Sequence, residues 1–218
     1  MRAVPTLHLA RLEGAALGGL RRLGSVSALR ALALVALAQA ACIEPVPAKD
    51  PFAMRDVVVP EGHRLELACV PSGPERCFDA VDDNCNGVID EGCGLHTGIL
   101  QFVIAWDAAE ANVDLEVSDP SGELAGIGGP TAAGLVKDRE CPGDDGACFG
   151  QNIENVYLAG TELERGRYRV EVKLVALRGA SAPVSVRLGV RVGPRSHAMS
   201  FELSPGEGSD RRSFEFTL

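Results

Sequence analysis

The chain has 218 residues, 46% of them hydrophobic and only 5% aromatic, with 30 Asp and Glu against 21 Lys and Arg for a formal net charge of −9. So acidic a balance makes nucleic acid a poor partner, because binding phosphates needs Lys and Arg to neutralise them. It suits a solvated protein working outside the cytoplasm, where part of its charge can be met by divalent cations.

The first element in chain order is a leader. Arg21, Arg22 and Arg30 run into "ALALVALAQAAC", a short apolar stretch ending in small residues. A positive segment, an apolar core and a small-residue cut site describe a secretory signal, and the run is well short of the roughly 20 apolar residues of a membrane-spanning helix. Residues 1–41 are therefore read as a signal peptide. Two cuts are open. Ala38-Gln39-Ala40 is an A-x-A site that leaves Ala41 first. Alternatively, Ala40-Ala41-Cys42 resembles a bacterial lipobox, with Cys42 lipidated, although Gln39 stands where that family usually carries an aliphatic residue. Seven cysteines are an odd number. Giving Cys42 to a lipid leaves Cys69, Cys77, Cys85, Cys93, Cys141 and Cys148, all of which can pair, so the lipoprotein reading is preferred. What remains after the leader holds 16 Lys and Arg against 29 Asp and Glu, a net charge of −13.

Residues 42–55 carry Pro45, Pro47 and Pro51 and read as an extended tether. Residues 56–94 form a cysteine-rich acidic segment too short to build its own core, so that disulfides or a metal must supply what burial cannot. From residue 97 to 218 the texture becomes period-two alternation. "ILQFVIAW" sets Leu100, Phe102, Ile104 and Trp106 on one face. "NVDLEV", "IENVYL", "RYRVEVKL", "VSVRLGVRV", "MSFEL" and "FEFTL" repeat the pattern. Alternation of this kind means half-buried antiparallel strands, and about seven or eight of them separated by Gly, Pro, Asp and Ser predict an all-β antiparallel sandwich. More than thirty residues between Pro120 and Ile153 lack a strong strand pattern, and Cys141 and Cys148 are candidates to staple that connection.

Within "CFDAVDDNCNGVIDEGC", residues 77–93, Asp82-x-Asn84-x-Asn86-Gly87 matches the opening of a calcium loop. Oxygen side chains at alternate positions point at one centre, Gly allows the sharp turn, and the Val88 carbonyl would follow. Asp90 falls at the ninth position and Glu91 two places before the twelfth, which is Cys93, so this is a truncated variant and not an EF-hand. It is nearer to thrombospondin type 3 repeats, where disulfides brace the loops. The donors Asp82, Asn84, Asn86, Val88, Asp90 and Glu91 are all hard oxygens, which favour Ca²⁺ over copper or zinc, and cysteines paired in an oxidising compartment cannot serve as thiolates. With one ligand missing, affinity on the order of 10⁻⁴–10⁻³ M is expected, as for extracellular modules. A second, looser set, Asp107, Asp114, Asp119 and Glu154, sits in the strand segments and is read as either another cation site or plain turn carboxylates.

Two resemblances accompany these readings. Cys77, Asp82, Asp83, Asn84, Cys85, Asn86, Gly87, Asp90, Glu91 and Cys93 resemble the MopE-type metal-binding motif, whose label implies copper, with Ala80 in place of its usual Gly. "WDAAEANVDLEVSDPSGE" and "GQNIENVYL" followed by "GRYRVEV" resemble the DUF2135/YfaP-like domains, exported bacterial β-sandwich modules akin in style to pre-peptidase C-terminal domains. Glu116 stands where that family often has His, and Leu174-Val175 where it has an aromatic pair.

The chain has no G-x-S-x-G, H-E-x-x-H or C-x-x-C motif, and in "GPTAAGLVK" Lys137 is too far from Gly134 for a phosphate loop. His63, His96 and His197 stand in no motif. The reading is a non-catalytic, exported lipoprotein of the outer membrane or cell surface, or a soluble periplasmic or secreted one. It would reach the membrane through its lipid alone and bind a protein or glycan at the surface. An accessory subunit of a larger envelope or secretion complex is the alternative, and a cryptic hydrolase a more distant one.

Overall fold

The alternating segments do form strands, each with its apolar residues turned inward. The computed structural model describes residues 49–69, 71, 73–141, 148 and 151–218; among them there are ten strands and no helix. These are β1 (Arg55–Val58), β2 (Glu66–Leu67), β3 (Leu100–Trp106), β4 (Asn112–Ser118) and β5 (Leu135–Arg139), then β6 (Ile153–Leu158), β7 (Arg167–Ala176), β8 (Val184–Val192), β9 (Arg195–Leu203) and β10 (Arg211–Thr217). They make two antiparallel sheets, one of four strands in the order β1-β10-β7-β4 and one of six in the order β2-β9-β8-β3-β6-β5. The leader, Cys42 and the tether as far as residue 48 lie outside the described residues, as do residues 142–147.

Between the sheets, Phe102 and Ile104 of β3, backed by Val190 and Leu188 of β8, meet Tyr168 and Val170 of β7 and Phe214 and Phe216 of β10, all fully or almost fully buried. The aromatic rings tie the layers: Phe102 lies 6.1 Å from Phe216, centroid to centroid, and Tyr168 stacks on Phe216 at 5.5 Å. Burying each such side chain is worth about 1.5–3 kcal/mol, so this interior carries the fold.

The pattern missed three strands. β1 and β2 are short edge strands whose every residue is exposed, so no alternation marks them. β5 lies inside the long connection, and its inward positions are Leu135 and the charged Lys137. "GPTAAG" is the turn that enters it, with Thr131 Oγ1 accepting from the Leu135 N–H at 3.2 Å.

β3 is buried at all seven positions because its outer face is covered too. Residues 77–96 lie over that face of the six-stranded sheet. Gln101 donates to the Ile89 carbonyl at 3.3 Å and to Asn155 Oδ1 at 3.1 Å, while Asn155 Nδ2 reaches the His96 carbonyl at 2.8 Å. The approach is closest at Gly189 of β8, where a Cβ would stand 2.5 Å from the Ala80 carbonyl oxygen and 3.1 Å from the Ile89 side chain. Three disulfides are present: Cys69–Cys85, Cys77–Cys93 and Cys141–Cys148, with Cα–Cα distances of 5.1, 5.3 and 5.6 Å. The first two interleave, and the third staples the long connection.

Candidate metal centres

In the acidic loop, the alternate-oxygen pattern acts first on the chain's own backbone. Asp82 is buried and accepts from the Asn86 N–H at 3.1 Å, the Gly87 N–H at 2.9 Å and the Ser196 hydroxyl at 2.9 Å. Asn84 Oδ1 accepts from the Asn86 N–H and Asn86 Oδ1 from the Val88 N–H, so each oxygen nucleates the next turn. The two amide nitrogens converge on Glu91 Oε1, leaving Glu91 Oε2 buried with no hydrogen-bond donor. A carboxylate has about four acceptor directions. Asp82 Oδ1 uses one of its two, and Glu91 Oε2 uses none, so acceptor capacity remains on both carboxylates.

Asp90 is turned elsewhere. Its side chain is fully buried and takes the N–H groups of Phe78 at 2.5 Å, Asp79 at 3.3 Å and Ala80 at 3.1 Å. Burial pushes its carboxyl up to about 6 against the pull of these donors. Three residues absent from the sequence reading complete the loop. Glu75 accepts from the backbone of Asp83, Asn84 and Asp90, and burial, with Glu91 close by, raises it to about 7. Arg76 clamps Asp83 through Nε at 3.2 Å and Nη2 at 2.9 Å. Arg191 of β8 is lowered by burial but held up by the charges of Asp82 and Glu91, so the loop already faces one cation. Glu75 and Arg76 stand just ahead of Cys77, outside the motif, and sheet packing brings in Arg191.

The second set is regrouped. Asp107 stands apart, its Oδ1 accepting from the Ser185 N–H at 3.0 Å. Asp119 braces a turn through Ser121, Glu123 and Ala133. Asp114 and Glu154 do come together, and Glu140 joins them. Carboxylate oxygens of these three lie within 4.8 Å of one another, the one such group of His, Cys, Asp or Glu among the described residues. Glu154 springs from β6 into the space between the sheets, where its Oε2 takes the Leu115 N–H of β4 at 2.5 Å and Lys137 Nζ at 2.9 Å. Lys137 also pairs with Glu140. Burial pulls the Lys137 ammonium down, but Glu154 and Glu140 outweigh it and keep it charged. Burial, reinforced by nearby Glu140, lifts Glu154 to about 9 despite Lys137, so the Glu140–Glu154 pair tends to hold a proton. Asp114 is raised by burial and by Glu140. Glu140 adjoins Cys141 inside the stapled connection, and that position was its one sequence signal.

The raised carboxyls set a pH dependence. Glu75 and Asp90 bind protons more tightly folded than unfolded, so their contribution is full below the unfolded values of 4.5 and 3.8 and is lost as pH rises through about 7 and 6. The ion-free protein should therefore melt at a lower temperature at pH 7.5 than at pH 5 (values set about the two titrations). Thermal scans in chelator check this, and a higher melting temperature at pH 7.5 would contradict it.

No family model matches the chain, and neither does any curated protein or solved structure.

Proposed function

We propose that the chain is a non-catalytic, exported envelope protein, lipid-anchored at Cys42, in which a structural Ca²⁺ held by the 77–93 loop rigidifies a β-sandwich binding module. The observation that carries this reading is the buried, donorless Oε2 of Glu91, on a carboxylate whose other oxygen takes the side-chain amides of Asn84 and Asn86. An orphaned buried carboxylate oxygen is costly, and an ion is one of the few partners that relieve it. All-oxygen donors favour Ca²⁺. Three paired disulfides suit an oxidising compartment. With Arg191 already facing the loop, binding is weak and suits a resident ion at millimolar extracellular Ca²⁺ and not a sensor.

The loop also has a place in recognition. By holding the backbone of residues 78–80, Asp90 sets Phe78 and Asp79 in the wall of an open groove of about 550 Å³ shared with Trp106, Asp107, Arg187 and Glu202. Aromatic surface beside charged groups suits a polar ligand with apolar faces, such as a glycan or a peptide loop. The test is thermal unfolding with and without Ca²⁺. At a hundredfold excess over Kd, Ca²⁺ should stabilise by about 2.7 kcal/mol and raise the melting temperature by about 5–10 °C. Glu91→Gln should abolish most of that gain. An unchanged melting temperature at about 10 mM Ca²⁺ would sink the calcium reading.

A further inference from the structure

We propose that Asp114, Glu140 and Glu154 form a second binding site for a hard divalent cation, with Lys137 as the resident counter-ion that gives way when the metal binds. This site shares no residue with the 77–93 loop and does not depend on the calcium reading of that loop. The three side chains present only oxygen, the donor set of Ca²⁺, Mg²⁺ and Mn²⁺, and their oxygens lie within 4.8 Å of one another. Clustering alone would describe any acidic patch. The separate observation is that Glu154 is 0% exposed and its Oε1 has no hydrogen-bond donor, although Oε2 of the same carboxylate is held by Leu115 and Lys137. One oxygen is thus fixed in place while the other is sealed from water with no donor of its own, a state that calls for the proton shared with Glu140, an ion or a trapped water.

Charge favours the ion. Once the proton held by the Glu140–Glu154 pair is displaced, the three carboxylates and the Lys137 ammonium leave two negative charges in excess, which a divalent cation neutralises and a water does not. Lys137 is 7% exposed, on an edge strand, and contacts Glu140 and Glu154 together, so it now occupies the role the metal would take. Location adds a reason for the site. Asp114 belongs to β4, the edge of the four-stranded sheet, whereas Glu154 and Lys137 belong to β6 and β5 at the edge of the six-stranded one. Glu140 follows β5 directly, next to the Cys141–Cys148 staple. A cation here would clamp the two sheets along a seam where charged side chains replace apolar packing, with waters completing its coordination.

The experiment is calorimetry of the full exported chain, stripped with chelator and titrated with Ca²⁺, Mg²⁺ and Mn²⁺, with Mn²⁺ counted by electron paramagnetic resonance. In a Glu91→Gln background the loop is silenced, and one ion should still bind; none bound at about 10 mM of any of the three would overturn the proposal. Adding Glu140→Gln, an isosteric change at a partly exposed position, should weaken the remaining site by at least about tenfold, as removal of a charged ligand does. Unchanged binding would overturn the site as drawn. Adding Lys137→Met instead should tighten it by about tenfold or more, because a competing cation within ion-pair distance is removed. If affinity falls or stays level, Lys137 is a permanent partner of Glu154 and the metal site does not exist. The loop reading is judged by the Ca²⁺ gain that Glu91→Gln removes and this site by the ion that the Glu91→Gln protein still binds, so the two outcomes separate.

Discussion

Serine at both Cys77 and Cys93 lowers the unfolding free energy by about 2–4 kcal/mol and removes the stabilisation that Ca²⁺ gives through the 77–93 loop. The magnitude follows from loop closure: a bridge spanning 16 residues of chain withdraws roughly 3 kcal/mol of freedom from the unfolded state. The second effect is specific to this architecture. Residues 77–93 make hydrogen bonds chiefly among their own side chains and backbone, and several sit at left-handed φ, including Phe78 at 68°, Ala80 at 57°, Cys85 at 64° and Asp90 at 52°. Four non-glycine residues in that region are each strained, and the cross-links hold them there. Urea unfolding gives the free energy and amide hydrogen exchange over residues 77–96 gives the location. A double variant as stable as wild type, with unchanged protection in this segment, would show that packing alone holds the loop.

Alanine at Gly189 detaches the acidic segment from the sheet. A Cβ there meets the Ala80 carbonyl oxygen at 2.5 Å and its carbon at 3.2 Å, both backbone atoms that cannot rotate aside. Either β8 or residues 78–81 must retreat. β8 is bonded on both sides, to β3 and β9, whereas the segment rests on the sheet's outer face, so the segment moves. Its retreat uncovers Ile89 and Ala80 and loosens the bond from Gln101 to the Ile89 carbonyl. The loss should be about 2–4 kcal/mol, in the range of overpacked or emptied core sites. Limited proteolysis should cut between residues 69 and 96 while the strands from β3 onward stay intact. Wild-type stability and protease resistance in Gly189→Ala would mean that the close approach is not needed.

How far the sequence could be read depended on whether a residue's role is local. Period-two alternation located β4 and β7 to β10, because a strand facing core on one side and water on the other must write that pattern; β3 and β6, covered on both faces, were found from their inward apolar positions. β5 escaped because its inward Lys137 answers a charge on another strand, and only the assembled sandwich supplies Glu154. The Asp82-Asn84-Asn86 spacing was legible for the same local reason, since each oxygen serves an N–H two to five residues ahead. Asp90 and Asp107 were not: backbone donors of Phe78 and Ala80, and of Ser185, compete for their carboxylates, and those donors arrive through chain folding. Glu140 and Arg191 acquire meaning only from β-pairing register.

Cys69, Cys77, Cys85 and Cys93 are spaced evenly, eight residues apart, yet each pairs with its second neighbour. In an unstructured chain, joining nearest neighbours closes loops half as long and is favoured by about 0.6 kcal/mol per bridge. The native choice is thus made by a template, the outer face of the six-stranded sheet, whose main strands β3, β8 and β9 all follow the cysteines in the chain. Exported N-terminus first, as proposed, the polypeptide would meet its oxidant before that template exists. In the exported chain proposed above, scrambled bridges would be the first product, and correct pairing would need thiol shuffling once the C-terminal half has arrived.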